Sequence, residues 1–422
     1  MSLLLGTIAD DFTGATDIAG LLARSGAPVS LRLGVPARDE PAGAAFEVVA
    51  LKIRTEPVDE ARRQAVAALD WLRAQGARHF YWKYCSTFDS TADGNIGPVA
   101  ESLLQELGST QTVYCPAFPE NDRRVFMGHL FVGEQPLDES PMRDHPLTPM
   151  RDSDLCRLLA PQVAGTVGLI ARPTIAGGAA AVRDGLTAAA ADGQAHLIVD
   201  AVDDGDLETL AEACHHLPLL TGGSALARQL IPAYRNAGLL DLQADAVTAP
   251  RTAPGRLVLS GSCSAMTRAQ VQFYAATAAS LQLDPLALAR DGTALEEAER
   301  WLREHPREDD KLIYATADPQ AVARAQEALG RDKAGAVVED AMAHLARSAI
   351  DRGIRRLVVA GGETSGAVVQ ALNIRRLDIG REIAPGVPWT YALIDGAPLA
   401  LALKSGNFGD ERFFHSALSV LD

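Results

Sequence analysis

Residues 355–370 read R-R-L-V-V-A-G-G-E-T-S-G-A-V-V-Q, a pattern that leaves a chain little choice of local structure. The apolar run 357–360 behind two arginines suits a short buried strand, and from Ala367 onward the pattern is helical. Between them lie Gly361, Gly362, Glu363, Thr364, Ser365 and Gly366. A glycine-rich strand-to-helix turn lets backbone N–H groups converge on an anion, because no Cβ blocks close approach and the helix N-terminus carries partial positive charge. Thr364 and Ser365 add hydroxyl donors, and Glu363 is placed to hold a phosphate-bound magnesium directly or through water. Two readings of the stretch stand side by side: a nucleotide-phosphate cradle, and an ordinary βα turn capped by its own hydroxyls.

The same alternation of strand and helix runs through the chain and predicts two α/β domains. Strands are expected at residues 3–9, 28–34, 46–53, 79–83, 113–115, 165–171, 195–200 and 217–220, then at 256–259, 312–315, 357–360, 389–394 and 399–403. Residues 240–256 carry Pro250 and Pro254 without a sustained apolar period, so the boundary falls there, with domains at 1–245 and 256–422. Residues 125–132 suggest a hairpin arm. The proline-interrupted segment 133–154 reads as a long binding loop or lid.

The first strand ends in Asp10-Asp11-Phe12-Thr13-Gly14. Loops at the carboxyl ends of strands line the ligand crevice of an open α/β sheet, so Asp10 and Asp11 are candidate catalytic groups, one accepting a hydroxyl proton while the other orients substrate or metal. Their alternative role is helix capping. The strand at 79–83 empties into Lys83-Tyr84-Cys85-Ser86-Thr87-Phe88-Asp89, a loop of lysine and hydroxyls suited either to a carboxylate or polyol or to plain solvation. Cys85 has no histidine near it in sequence and reads as an unreactive thiol. Thr221-Gly222-Gly223-Ser224 resembles the Gly361 turn and offers a second anion cradle. In the second domain, 260–264 and 404–409 are further Gly/Ser-rich turns at strand ends.

What the chain lacks narrows the chemistry. It has neither G-x-x-x-x-G-K-[ST] nor G-x-G-x-x-G, which excludes a P-loop and a dinucleotide fingerprint, and protein-kinase signatures are absent. A net charge of −15 argues against nucleic-acid binding. Five scattered cysteines without C-x-x-C spacing suit reduced thiols in the cytoplasm, and neither a signal peptide nor a membrane span is expected. Placing nucleotide and acceptor on separate domains suits phosphoryl transfer, in which positioning and charge stabilisation carry the catalysis.

Several long motifs occur in order. They are I-A-D-D-F-T-G-A-T-D (8–17), K-Y-C-S-T-F-D-S-T with G-N-I-G-P (83–98), C-P-A-F-P-E-N (115–121), G-H-L-F-V (128–132), H-P-L-T-P-M (145–150), T-G-G-S (221–224), S-G-S-C-S (260–264) and G-G-E-T-S-G (361–366). Together they resemble the four-carbon acid sugar kinase family over nearly the whole chain. The resemblance implies an N-terminal acid-sugar domain, a C-terminal ATP domain, and ATP- and Mg2+-dependent phosphorylation of the terminal hydroxyl of 3-oxo-tetronate. D-threonate, D-erythronate and L-threonate are sister specificities, and a non-catalytic sugar-acid or nucleotide sensor is the alternative of another class. Nucleotide contacts would fall on Ser260, Gly361, Gly362, Glu363, Thr364, Ser365 and Gly406. The substrate side would fall on Asp10 and Asp11 with Arg54, Lys83, Ser86 and Asp89. Lys52-Ile53-Arg54-Thr55 departs from the K-S-R-S expected of the family, isoleucine standing where a serine would. A homo-oligomer is compatible with this reading; a membrane or nucleic-acid partner is not.

Overall fold

The computed structural model describes residues 3–145, 148–240 and 249–421; Pro146 and Leu147 of the H-P-L-T-P-M motif, and residues 241–248 of the expected boundary, lie outside them. The chain divides into two compact units, Met1–Ala246 and Val247–Asp422.

The first unit is built on eight parallel strands: Leu5–Ala9 (β1), Val29–Leu33 (β2), Phe46–Ala50 (β3), His79–Lys83 (β4), Thr112–Cys115 (β5), and, after a small antiparallel sheet of Arg123–Phe126 (β6), His129–Val132 (β7) and Gln135–Pro136 (β8), Thr166–Ile170 (β9), Gln194–Val199 (β10) and Leu219–Gly222 (β11). Their order is β2-β3-β1-β4-β11-β5-β10-β9, with every neighbour parallel. β1, β3 and β5 are buried at every position, as largely apolar strands of a covered parallel sheet should be, and the one charged side chain among them, Glu47, accepts Arg32 Nε at 3.0 Å. The chain leaves β1 toward β2 on one side and β4 toward β5 on the other. The ends of β1 and β4 are therefore a topological switch point, where crevices open in such sheets.

The second unit contains Arg256–Ser260 (β12), Ala279–Gln282 (β13), Lys311–Tyr314 (β14), Arg356–Ala360 (β15), Arg376–Ala384 (β16), Val387–Ile394 (β17) and Ala397–Lys404 (β18), in the order β13-β14-β12-β15-β18-β17-β16. β13 to β18 in that order are parallel, and β17 and β16 continue antiparallel. Its core gathers Val258, Val358, Trp389, Tyr391, Phe413 and Phe414. Here the chain leaves β12 toward β13 and β15 toward β16, so the second switch point lies between β12 and β15.

Three local findings differ from the sequence reading. β13 and β16 were not expected: the first is a short A-S-L-Q and the second carries Arg376, Asp378, Arg381 and Glu382, so neither shows an apolar run. The hairpin is complete, with both arms, β6 and β7, paired. The helix after β15 is Gly362–Ala371 and starts five residues before Ala367, because Ser365 N–H bonds Gly361 C=O at 2.9 Å and closes a first turn through weak helix formers.

Candidate functional site

In the first unit the switch point carries the two aspartates. β1 ends at Ala9, and Asp10 N–H bonds Lys83 C=O at 3.0 Å, so the loop after β1 is stitched to the end of β4. Asp11 is the N-cap of the helix Phe12–Ala23, its Oδ1 accepting Gly14 N–H at 2.8 Å. The capping role is therefore real for Asp11, but it occupies only one carboxylate oxygen.

Arg54, just beyond β3, reaches both aspartates. Its Nε donates to Asp10 Oδ2 at 2.7 Å and its Nη2 to Asp10 Oδ1 at 3.0 Å, while Nη2 lies 2.9 Å from Asp11 Oδ1 and Nη1 3.7 Å from Asp89 Oδ2. The planar fork matches a carboxylate edge, which a lysine does not. Burial pushes the Asp10 carboxyl up from its usual range, and the Arg54 charge and hydrogen bonds pull it part of the way back. Burial opposes charge on Arg54, but the Asp10 charge and hydrogen bonds outweigh it and push the guanidinium above its usual range. Asp89 is itself fixed by Thr87 Oγ1 at 2.6 Å.

Lys83 is buried, and its Nζ donates to Tyr84 C=O at 2.7 Å beneath the turn at Gly14, where an added Cβ would lie 2.9 Å from it. Ser86 is half-buried in the same loop. Burial pushes the Cys85 thiol up to about 12, in keeping with an unreactive sulfur. Two groups that sequence reasoning left out complete this end of the sheet. Asp17, raised by burial and accepting Ser224 Oγ at 2.5 Å, ties the first helix to the last one of the unit. Asn95 donates to Ile53 C=O at 2.7 Å and Glu56 C=O at 2.8 Å, bracing the segment that presents Arg54. Only the G-N-I-G run hinted at it.

The Thr221-Gly222-Gly223-Ser224 turn is not an open cradle. A Cβ at Gly222 would run into Cys115 C=O, and one at Gly223 would lie 2.9 Å from Pro116 C=O. Those glycines answer to close backbone packing, and Thr221 Oγ1 is spent on Val113 C=O at 2.8 Å.

In the second unit a cavity of about 770 Å³ opens at the other switch point. Gly261 and Ser262 line it from the turn after β12, and Gly361, Gly362, Glu363 and Thr364 from the turn after β15. The two turns are joined by Gly261 and Ser262 N–H donating to Ala360 C=O at 3.0 and 3.2 Å. Gly361 sits at φ +128, where a side chain is strained, and a Cβ on Gly261 would collide with Thr364 Oγ1. Gly362 faces open space instead. Ser365 Oγ is buried without a hydrogen-bond partner at the helix N-terminus. Apolar Leu283, Pro285, Leu286, Val322 and Val338 form much of the remaining wall, with Arg324 and Arg331 at its polar side. Neither arginine was recognisable beforehand, since each belongs to a helix remote in sequence from the turns.

Ser260 and Gly406 are not among the residues that line this cavity, although Gly406 packs on Ser262, which is, an added Cβ there lying 2.9 Å from Ser262 Oγ. Ser260 Oγ is fully buried against Thr316 Oγ1 at 2.7 Å, and Gly406 C=O accepts Ser264 Oγ at 2.6 Å and Thr267 Oγ1 at 2.7 Å. Among the described residues no group of three or more His, Cys, Asp or Glu gathers as a metal site, and no helix is long and apolar enough to cross a membrane.

Residues 5–230 match the model of a sugar-binding N-terminal domain, and residues 257–414 that of a nucleotide-binding C-terminal domain. Over 419 residues the chain is 52% identical to the 3-oxo-tetronate kinase of Burkholderia multivorans, covering 99% of this chain and 97% of that one. The 3-oxo-tetronate kinase of Pseudomonas fluorescens is 51% identical over 422 residues, with the same coverage. A solved Haemophilus influenzae protein superposes with a TM-score of 0.88 at 42% identity, covering 99% of this chain and 100% of its own.

Proposed function

Because the chain belongs to the four-carbon acid sugar kinase family, we propose that it transfers the γ-phosphoryl group of ATP to the C4 hydroxyl of 3-oxo-tetronate, giving 3-oxo-tetronate 4-phosphate and ADP. The observation that carries this reading is half-identity to 3-oxo-tetronate kinases along nearly the entire chain, which spans both the acid-sugar and the nucleotide unit.

The nucleotide fits the cavity of the second unit. Its apolar wall suits a base, and the glycine turns with the N-terminus of the helix that follows suit phosphates. Magnesium would arrive on those phosphates, with Glu363 at the mouth of the turn to meet it, and would neutralise charge on the transferring group.

In the first unit Asp11 is the better placed acceptor of the hydroxyl proton. Its side chain is 29% exposed against 4% for Asp10, and its Oδ2 is not used in the cap. As the C4 oxygen attacks phosphorus and the bond to the β–γ bridging oxygen breaks, the hydroxyl proton passes to Asp11. Asp10 and Asp89 hold Arg54, and Arg54 holds Asp11 in place. With its guanidinium so engaged, Arg54 acts chiefly as an organiser of carboxylates, while Lys83 supports the loop from below.

The test is ADP release from Mg-ATP with 3-oxo-tetronate, D-threonate, D-erythronate and L-threonate, and location of the phosphate by NMR. Turnover confined to the 3-oxo acid with phosphate on O4 is expected. Turnover only with a threonate or erythronate would overturn the substrate, and binding of acid and nucleotide without turnover would overturn the enzyme.

A further inference from the structure

Lys404 is the last residue of β18 and is completely buried. It pairs with Ala360 at the end of β15, and its C=O accepts Gly361 N–H at 2.8 Å, so it stands directly behind the cavity's principal glycine turn. Its Nζ donates to Thr267 Oγ1 at 3.1 Å and to the carbonyls of Ser405 and Gly406 at 2.9 Å each. Among the described residues, every acceptor of this ammonium is neutral.

That is unusual company for a buried charge. Lys311 is the instructive contrast: it is also buried, at the start of β14, but Glu308, Asp309 and Asp310 supply negative charge around it. The charged groups on the elements packed around Lys404 are engaged elsewhere or face the cavity. Arg268 donates to Cys263 C=O, Asp410 accepts Arg412 N–H, His415 meets Thr277, and Glu363 lines the cavity. The Lys404 ammonium is satisfied by three neutral acceptors and by the Phe413 ring, whose centroid lies 6.0 Å from Nζ, but it meets no carboxylate among the described residues, which leaves room for a bound anion as its counter-charge.

We infer that Lys404 is a positioning residue for the nucleotide's phosphates: its fixed ammonium braces the Ser405–Gly406 turn from behind and is the positive charge that the bound phosphates complete. This deepens the nucleotide reading of the cavity and rests on it. The donors of Lys404 hold the Gly406 carbonyl, which Ser264 and Thr267 also grip, so the turn after β18 is locked against the turn after β12. A phosphate in front of Gly361 would then feel a full charge through a low-dielectric layer, where it counts for more than in water.

Burial pushes Lys404 down to about 8, so a linked proton reports the contact. At about pH 8.5 the free protein holds Lys404 mostly neutral, whereas bound phosphates would recharge it. ADP itself is fully ionised there, since the last phosphate ionisation lies near 6. Calorimetric titration of the wild-type chain with ADP at pH about 8.5, in two buffers of different ionisation enthalpy, should register uptake of roughly half a proton or more per ADP. Lys404→Met, checked for native circular dichroism, should lose that uptake and bind ADP about tenfold or more weakly at pH 7. ADP binding to the wild type without proton uptake would overturn the inference and leave the nucleotide site standing. Uptake that persists in Lys404→Met would overturn it equally. Failure of the wild type to bind ADP at all would remove the nucleotide reading and this inference with it.

Discussion

Arg54 grips Asp10 along a whole carboxylate edge, Nε to Oδ2 at 2.7 Å and Nη2 to Oδ1 at 3.0 Å, and the same Nη2 touches Asp11 at 2.9 Å. One guanidinium thus fixes both aspartates that follow β1. Replacing it with lysine keeps the charge but loses the fork. Arg54→Lys is expected to lower kcat/KM by about 100-fold and to destabilise the first unit by roughly 1–3 kcal/mol, because a buried carboxylate is left half-satisfied. Steady-state kinetics and urea unfolding check the two effects separately.

Asp11 and Asp10 should separate under the same conservative change. Asp11→Asn keeps the cap geometry but cannot take a proton, and turnover should fall by about 10²–10⁴ with ADP affinity unchanged. Asp10→Asn removes the carboxylate edge that holds the Arg54 guanidinium in plane, so it should lower turnover and stability together. Full turnover in both variants would dismiss the aspartates from the reaction.

Adjacent glycines of the nucleotide turn make a paired test. Gly361→Ala forces a side chain into φ +128, with its Cβ 2.9 Å from Thr364 Oγ1, and should cost about 1–3 kcal/mol. Gly362→Ala meets nothing within 4 Å and lies in a helix, so it should leave the melting temperature unchanged or slightly raised. Its methyl group nevertheless stands on the surface offered to phosphate, and the KM for ATP should rise about tenfold. An unaltered KM would move the phosphates off this turn.

Stability should also respond to alkali in an uncommon direction. Lys311 and Lys404 are both held down at about 8, against 10.5 for a free lysine, so between those values the unfolded chain binds more protons than the folded one. Unfolding free energy therefore rises with pH across that window, by up to about 1.4 kcal/mol per pH unit for each lysine. Denaturant melts of the wild type and Lys404→Met between pH 8 and 10 should diverge, the wild type gaining on the variant. Parallel curves would show that Lys404 is not held down.

Much of this was written in local pattern. Apolar runs placed β1, β3, β4 and β15 within a few residues, because strands buried on both faces are mostly apolar, and an exception such as Glu47 of β3 is paired, here with Arg32 Nε at 3.0 Å. Gly361 was readable because its backbone conformation admits little else. Gly222 and Gly223 look the same on paper yet serve packing, since nothing in the sequence reveals that the Cys115 and Pro116 carbonyls press against them. Asn95 and Lys404 escaped for a related reason. Their work is done through contacts 42 and 137 residues away in the chain, distances at which composition and period carry no information.

The place of β11 has a consequence for how the molecule is made. Residues Leu219–Gly222 fill the gap between β4 and β5, so the middle of the first sheet is supplied by its last strand to leave the ribosome. Until then β2-β3-β1-β4 and β5-β10-β9 are two half-sheets, each with a bare inner edge open to unwanted pairing. The β4 edge, finished at Lys83, must wait through 136 residues of synthesis for Leu219, and the second half-sheet is finished only at Val199, so it is chiefly the first half whose edge a chaperone would need to shield.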